Sequence, residues 1–146
     1  MKNILIVILG PTGVGKSDAS IYIADHFNCE IISADSRQFY SEMKIGTAVP
    51  SDDQLKKIKH HFIRSLSAKN YYSSSLYERD VLKMLPDLFK KNNVVLMTGG
   101  SGMYIDAVCD GIDEISDVDQ MIREKYTAKF NYEGIEGLRI ALKLLD

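Results

Sequence analysis

Apolar residues recur along the chain with two different periods, and each period predicts a different kind of element. "ILIVIL" (Ile4 to Leu9) is an unbroken apolar run rich in β-branched residues. That suits a central strand of a parallel sheet, covered on both faces. Helical spacing follows, with Ala19, Ile23 and Phe27 on one face of a helix predicted over Lys16 to Phe27. Glu30 to Ser33 reads as a short second strand and His61 to Leu66 as a third. Between them, Gly46 and Pro50 mark an irregular stretch, and Asp52 is placed to cap a short helix reaching Lys59. A longer helix is predicted from about Ser75, opened by a Ser75–Glu78 capping box. Pro86 removes one backbone donor and predicts a kink, not an end, because apolar spacing continues through Leu88 and Phe89. Val94 to Met97 is a fourth strand, and after it a glycine pair allows a tight turn into a helix over Ser101 to Val108.

The pattern changes after Asp110, where no further strand rhythm appears. Asp117 can cap a helix to about Phe130, and Glu133 to Leu145 can form another. Strand–helix alternation predicts an α/β fold over residues 1–112, a parallel sheet flanked by helices with right-handed crossovers. Residues 113–146 read as the start of an all-α excursion.

Composition narrows the class. A chain of 146 residues suffices for one compact domain with a real core. Apolar residues make up 45% and charged residues 26%, an ordinary globular mix, and no internal repeat interrupts it. The net charge of −2 excludes nucleic-acid binding by bulk positive charge. "KKIKHHFIR" (Lys56 to Arg64) still gathers four basic residues and two histidines in nine positions. Its plain reading is a solvated helix end leading into a strand. Cys29 and Cys109 stand far apart without a CxxC pattern and read as free thiols in a reducing compartment. The first apolar run is too short for a signal peptide and lacks a small-residue cleavage site. No stretch is long enough to span a membrane. A monomer in the cytoplasm is the expectation.

"GPTGVGKS" (Gly10 to Ser17) carries the first chemistry. A G-x-x-x-x-G-K-[ST] loop needs a strand before it and a helix after it, and both are predicted here. Glycines 10, 13 and 15 let several backbone N–H groups face one concavity, and the following helix adds the positive end of its dipole. Lys16 supplies a mobile cation and the Ser17 hydroxyl can ligate Mg²⁺. The candidate cradle is therefore Gly10, Pro11, Thr12, Gly13, Val14, Gly15, Lys16 and Ser17. With Gly near ~7% of residues, the pattern arises by chance in roughly one chain of this length in a few hundred.

The cradle identifies a diphosphate-like group but not the bond that breaks. A nucleoside triphosphatase would end a later strand with an acid for its magnesium, yet "NVVLM" runs into "TGGSGMY" without one. The acid stands instead after the second strand, Asp35 in "IISADSRQFY". Carboxyl ends of neighbouring parallel strands share a crevice, so Asp35, Ser101 and the cradle converge if strands two and four lie near strand one. Asp35 can then hold Mg²⁺ through water, accept a proton from a nucleophile, or merely brace a turn. These residues by themselves admit two readings. One is a P-loop small-molecule or nucleoside kinase, with Arg123 and Arg139 on a lid; the other is a nucleotide-binding interaction module without chemistry.

Taken together, "GPTGVGKS", "IISADSRQFY", "KIGTAVP", "HHFI" and "TGGSGMYIDAVCDGI", in this order and spacing, resemble the bacterial tRNA dimethylallyltransferases, also called tRNA isopentenylpyrophosphate transferases. The resemblance spans residues 4 to 146. It implies a P-loop NTPase-like core over 1–112 and the start of a helical tRNA-binding insertion over 113–146. It implies that the cradle holds dimethylallyl diphosphate with Mg²⁺, and that the dimethylallyl group passes to the exocyclic N6 amine of the adenosine beside the tRNA anticodon. Asp35 matches the family's general base, and Ser101 matches a position usually held by Thr, whose hydroxyl contacts the reacting region. Asp35, Ser36, Arg37 and Gln38 match the contact stretch for the target nucleotide, with Ser101 beside them. Arg123 matches a basic residue at the tRNA interface; otherwise it is a solvated arginine on a helix face. Val49 departs from the pattern, since the family commonly has Lys there. Members of the family are much longer, so the resemblance also implies a truncated chain that lacks much of the tRNA-gripping surface.

Overall fold

The computed structural model describes residues 2–43, 46–112 and 119–145. They cluster into two compact units, Met1–Ile112 and Asp113–Asp146. In the first, four strands form one parallel sheet: β1 (Ile4–Leu9), β2 (Ile31–Ser33), β3 (His60–His61) and β4 (Val94–Gly99). Their order across the sheet is β1-β4-β2-β3. Helices α1 (Lys16–Phe27), α2 (Asp52–Lys57), α3 (Ser74–Lys91) and α4 (Gly102–Asp110) connect or follow them. This is the α/β fold that the alternation predicts.

Period-two alternation divides the core between the two faces of the sheet. Ile31, Val94 and Leu96 join Ala24 of α1, Cys29 and Ile58 in one buried cluster. Ile32, Val95 and Met97 join Phe39, Tyr77, Val81, Leu88 and Ile105 in the other. Within the second, the ring of Tyr77 stacks on Phe39 at 5.3 Å. The Tyr77 hydroxyl donates to the Ser33 carbonyl at 2.9 Å, so α3 holds the end of β2 from below. Burial pushes the Tyr77 phenol well above its ordinary pKa and keeps it a donor.

Several local expectations shift. β1 is an edge strand among the described residues, not a central one, because the chain inserts β4 between β1 and β2. Leu9 is accordingly 55% exposed despite its apolar neighbours. β3 stops after two residues, since Phe62 and Arg64 adopt left-handed φ of 61° and 50° that no strand continues through. Ser51, not Asp52, caps α2, with a capping box to Gln54. Ser73 caps α3, its hydroxyl accepting from the Leu76 N–H. Three consecutive serines make that register ambiguous in sequence, and the box with Glu78 does not form. α3 runs through Pro86 to Lys91, as the apolar spacing indicates.

The basic run around β3 is largely neutralised. Lys57 pairs with Asp25 at 2.8 Å and Arg64 with Asp52 at 3.6 Å. Glu30 receives Lys91 at 2.8 Å, His61 at 2.6 Å and Lys59 at 3.6 Å. Partial burial alone raises the Glu30 carboxyl; the hydrogen bonds from Lys91 and His61 and the charges of the lysines outweigh it and bring it from 4.5 down to about 2. A depressed carboxyl stabilises the fold above its unfolded pKa and loses that contribution as pH falls from 4.5 through about 2. Glu30→Gln is expected to lower the denaturation midpoint at neutral pH and to flatten the acid limb of stability across that window. Chemical denaturation at a series of pH values checks this; an unchanged acid limb counts against it.

The second unit is helical. α5 (Gln120–Lys143) is two helical stretches joined at Gly134, where φ is 68° and ψ −166°. Asp119 caps its start, accepting from the Met121 N–H. Asp117, expected in that role, lies outside the described residues, as does the 113–118 boundary segment.

Candidate active site

The end of β1 leads into the glycine loop, and the loop into α1. Gly13 and Gly15 have φ of 86° and 88°, a conformation that side-chain-bearing residues rarely adopt. Gly10 does not share it, and a Cβ there would meet only ordinary contacts. Gly15 is the N-cap of α1 and offers no side chain to its first amides. Those N–H groups and the helix dipole form a ready anion site. Lys16 Nζ donates to the Pro11 carbonyl at 2.6 Å, folding the ammonium back across the loop.

Two cavities open at the carboxyl ends of the strands. The larger, about 300 Å³, is lined by Thr12, Gly13, Gly15, Lys16 and Ser17 on the cradle side. Ser33, Asp35 and Thr98 line it from the sheet, with Gln38, Ala48, Pro50 and His60 across from the cradle. The smaller, about 190 Å³, is lined by Thr12, Asp35, Ser36, Arg37, Gly46, Thr47, Gly100 and Ser101. Thr12 and Asp35 belong to both. The candidate acid therefore lines both the glycine-loop cavity and the second pocket.

Asp35 is held by its own turn. Its Oδ1 accepts from the Arg37 N–H at 3.0 Å, and its carbonyl accepts from the Gln38 N–H at 3.0 Å. Oδ2 has no partner among the described residues. The turn-bracing reading and the chemical one are thus compatible, because the turn uses one oxygen and leaves the other open. Ser101 ties β4 to the same turn. Its N–H donates to the Ala34 carbonyl at 3.2 Å, and its Oγ accepts from the Ser36 N–H at 3.0 Å. The Ser101 hydroxyl also lies 3.2 Å from the Ser36 hydroxyl, to which it donates. Gln38 is engaged at both ends: Nε2 donates to the Thr47 and Ala48 carbonyls at 3.1 and 3.0 Å, and Oε1 accepts from Ser33 Oγ at 3.1 Å. It clamps the loop that carries Ala48 and Pro50 into the wall of the larger cavity.

The structure thus brings together Thr12, Gly13, Gly15, Lys16, Ser17 and Asp35, and places Ser36, Arg37 and Ser101 on the second pocket. Val14 is exposed and Pro11 contributes its carbonyl. Arg123 lies in the second unit, on α5 beside Tyr126 and Thr127. The sequence assigns no role to Asp18, Ser20, Ser33, Ala48, Pro50, His60, Thr98 and Gly99, which also line the larger cavity. All but Asp18 and Ser20 fall within the motifs that carry the resemblance. Thr98 stands where a nucleoside triphosphatase would place its acid, and its hydroxyl lies 2.9 Å from that of Ser20, which donates to the Lys16 carbonyl.

The oxygen donors of the larger cavity are of the kind that fit a magnesium ion. Among the described residues no three His, Cys, Asp or Glu side chains are grouped to hold a metal. The cavity offers the Ser17 hydroxyl and the carboxylates of Asp18 and Asp35. Mg²⁺ usually keeps waters and substrate phosphate oxygens beside one or two protein ligands, and this set leaves room for that.

Comparison with known proteins decides the family. The family model described as IPP transferase matches residues 38–146. The chain belongs to the IPP transferase family. This bears out the resemblance read from the motifs. The chain is 51% identical over 142 residues to tRNA dimethylallyltransferase 1 of Bacteroides fragilis, covering 97% of this chain and 47% of that protein. It is 46% identical over 144 residues to the Flavobacterium psychrophilum tRNA dimethylallyltransferase, covering 99% of this chain and 47% of the relative. This IPP transferase chain therefore spans about half the length of the curated relatives it matches. Among solved structures, the full-length tRNA isopentenylpyrophosphate transferase of Bacillus halodurans superposes with a TM-score of 0.74 at 29% identity, over 99% of this chain and 48% of that one. The Staphylococcus epidermidis tRNA isopentenylpyrophosphate transferase superposes with a TM-score of 0.69 at 35% identity, over 88% and 41% of the two chains. No helix among the described residues is long and apolar enough to cross a membrane.

Proposed function

We propose that this chain carries the diphosphate cradle and the general base of a tRNA dimethylallyltransferase. The observation that carries the reading is the shared partition: Asp35 and Thr12 line both the cradle cavity and the second pocket. A leaving group held in one and a nucleophile in the other meet at the wall between them. The cradle holds the diphosphate of dimethylallyl diphosphate through the loop amides, the start of α1 and Lys16. Ser17 and Asp35 face the space in which Mg²⁺ would bind, and the ion would neutralise leaving-group charge.

In the transfer, the allylic C–O bond breaks and its electron pair leaves with the diphosphate, where fixed N–H donors and Lys16 receive the charge. The lone pair of the adenosine N6 amine forms the new C–N bond. The proton that amine must lose passes to Asp35 Oδ2, the oxygen its turn leaves open. Ser101 and Gln38 hold that turn and the opposite loop, while Ser36 and Arg37 face the nucleotide side. Arg123, on the helical unit, contacts the tRNA. The tRNA, the diphosphate, Mg²⁺, a monomeric state and a cytoplasmic location together make up this reading.

Ligand choice tests it. Mg²⁺ with dimethylallyl diphosphate is expected to raise the melting temperature, and Mg²⁺ with ATP to leave it unchanged. Stabilisation by ATP alone overturns the assignment in favour of a kinase. The reaction itself is read by incubating the protein with unmodified tRNA and labelled dimethylallyl diphosphate. Lys16→Ala is expected to weaken dimethylallyl diphosphate binding by about tenfold or more, the scale of a lost charge-assisted hydrogen bond. Calorimetric titration measures it, and wild-type affinity in that variant removes Lys16 from the cradle.

A further inference from the structure

His60 stands on the wall of the cradle cavity that faces α1. It lies on β3 beside Ile31 of β2 and is half-buried. Its Nδ1 is 2.8 Å from the Ile58 carbonyl. A carbonyl only accepts, so Nδ1 carries hydrogen, and in the neutral ring Nε2 holds a lone pair. No hydrogen bond among the described residues engages Nε2. No buried side-chain nitrogen or oxygen among them lacks a partner, so Nε2 must reach accessible space. His60 lines this cavity. The adjacent His61 is occupied elsewhere, on Glu30 at 2.6 Å.

We propose that His60 is a further contact for the substrate diphosphate: on binding, Nε2 takes a proton from solvent and donates it as a hydrogen bond to a phosphate oxygen. The proposal rests on the diphosphate reading above. Lys16 and Asp18 face the cavity from α1, and Asp35 faces it from the turn after β2. Lys59 and His61, next to His60 in the chain, are turned to Glu30, and on α2 Lys57 is turned to Asp25. Thr47 to Pro50, on the clamped loop, carry no titratable side chain. The fixed charges that line the cavity offset one another in part, and an arriving diphosphate tips the balance toward an imidazolium. Burial outweighs the opposing Ile58 carbonyl and lowers the His60 pKa before binding, which favours the neutral ring in the empty cavity. His60 then selects for a multiply charged anion and strengthens binding as pH falls.

Pyrophosphate with Mg²⁺ is the probe, titrated calorimetrically from pH 6 to 8.5 into wild-type protein, His60→Asn and His60→Gln. Asn retains a donor for the Ile58 carbonyl and lacks the distal nitrogen, which guards against misfolding; an unchanged melting temperature confirms it. The ratio of variant to wild-type dissociation constants cancels the titration of pyrophosphate itself. At the acid end that ratio is expected to reach about tenfold for His60→Asn, the scale of one charge-assisted hydrogen bond, and to fall toward one at the alkaline end. Wild type is also expected to take up more protons per pyrophosphate than His60→Asn, read in two buffers of different ionisation enthalpy. A ratio that stays constant with pH, or equal proton uptake, overturns the proposal. Absence of pyrophosphate binding to wild type overturns the cradle and the proposal together. Pyrophosphate binding with the expected pH-dependent ratio, alongside failure of dimethylallyl diphosphate to bind, upholds His60 and overturns the prenyl-transfer reading alone.

Discussion

Asp35→Asn is expected to slow dimethylallyl transfer by about 10²–10⁴-fold, the span of a lost general base, while dimethylallyl diphosphate binds as before. The substitution is well matched to the geometry. Asn keeps the oxygen that accepts from the Arg37 N–H, so the turn persists. It replaces the open carboxylate oxygen with a group that cannot take a proton. The N6 lone pair is delocalised into the purine ring, so the amine gains most from a base as the new bond forms. Single-turnover transfer to unmodified tRNA reads the rate, and calorimetry reads the diphosphate. A full rate in Asp35→Asn removes the general-base role. A lost rate accompanied by lost diphosphate affinity would instead assign Asp35 to holding the metal and the anion.

Gly99→Ala is expected to destabilise the first unit by about 3 kcal/mol or more, at the severe end of single substitutions. A Cβ at Gly99 would lie 2.1 Å from the Ala34 carbonyl oxygen and 2.3 Å from its carbon. Both are backbone atoms, so no rotamer change relieves the overlap. β4 and β2 would have to part where the Ala34 N–H donates to the Thr98 carbonyl at 2.7 Å. The Ser101 bonds to Ala34 and Ser36 lie just beyond. Stability and the setting of Asp35 therefore fall together. Urea denaturation gives the first, and transfer rate in the folded fraction gives the second. Wild-type stability in Gly99→Ala shows that the strands can spread there at little cost.

The residues that made the site legible are those whose local chemistry is self-sufficient. Gly13, Gly15, Lys16 and Ser17 specify a loop and a helix start within eight positions, and the structure assembles them so. Asp35 was legible because a short strand ends just before it. What sequence reading lost was decided by neighbours far along the chain. The edge position of β1 depends on where β4 inserts, which the unbroken apolar run of Ile4 to Leu9 does not record. Gly99 reads as turn punctuation, yet its φ is unremarkable and its need is the close approach of Ala34. Gln38 stands in the nucleotide-contact stretch by resemblance, and only the fold shows its side chain bonded to Thr47, Ala48 and Ser33. His60 and His61 are successive residues of β3 and so take opposite faces, one at the cavity and one at Glu30.

The insertion of one strand between the loop-bearing β1 and the acid-bearing β2 has a further consequence. Neighbouring strands stand about 4.8 Å apart, so the backbone ends of β1 and β2 are separated by roughly 10 Å. That gauge is built from main-chain hydrogen bonds and does not stretch with side-chain fluctuation. A donor molecule whose scissile carbon sits too near its anchored anion, or too far from it, would present that carbon off the partition, out of reach of the carboxylate. Under the proposed function, strand count would then set which donor lengths bring their carbon to the carboxylate.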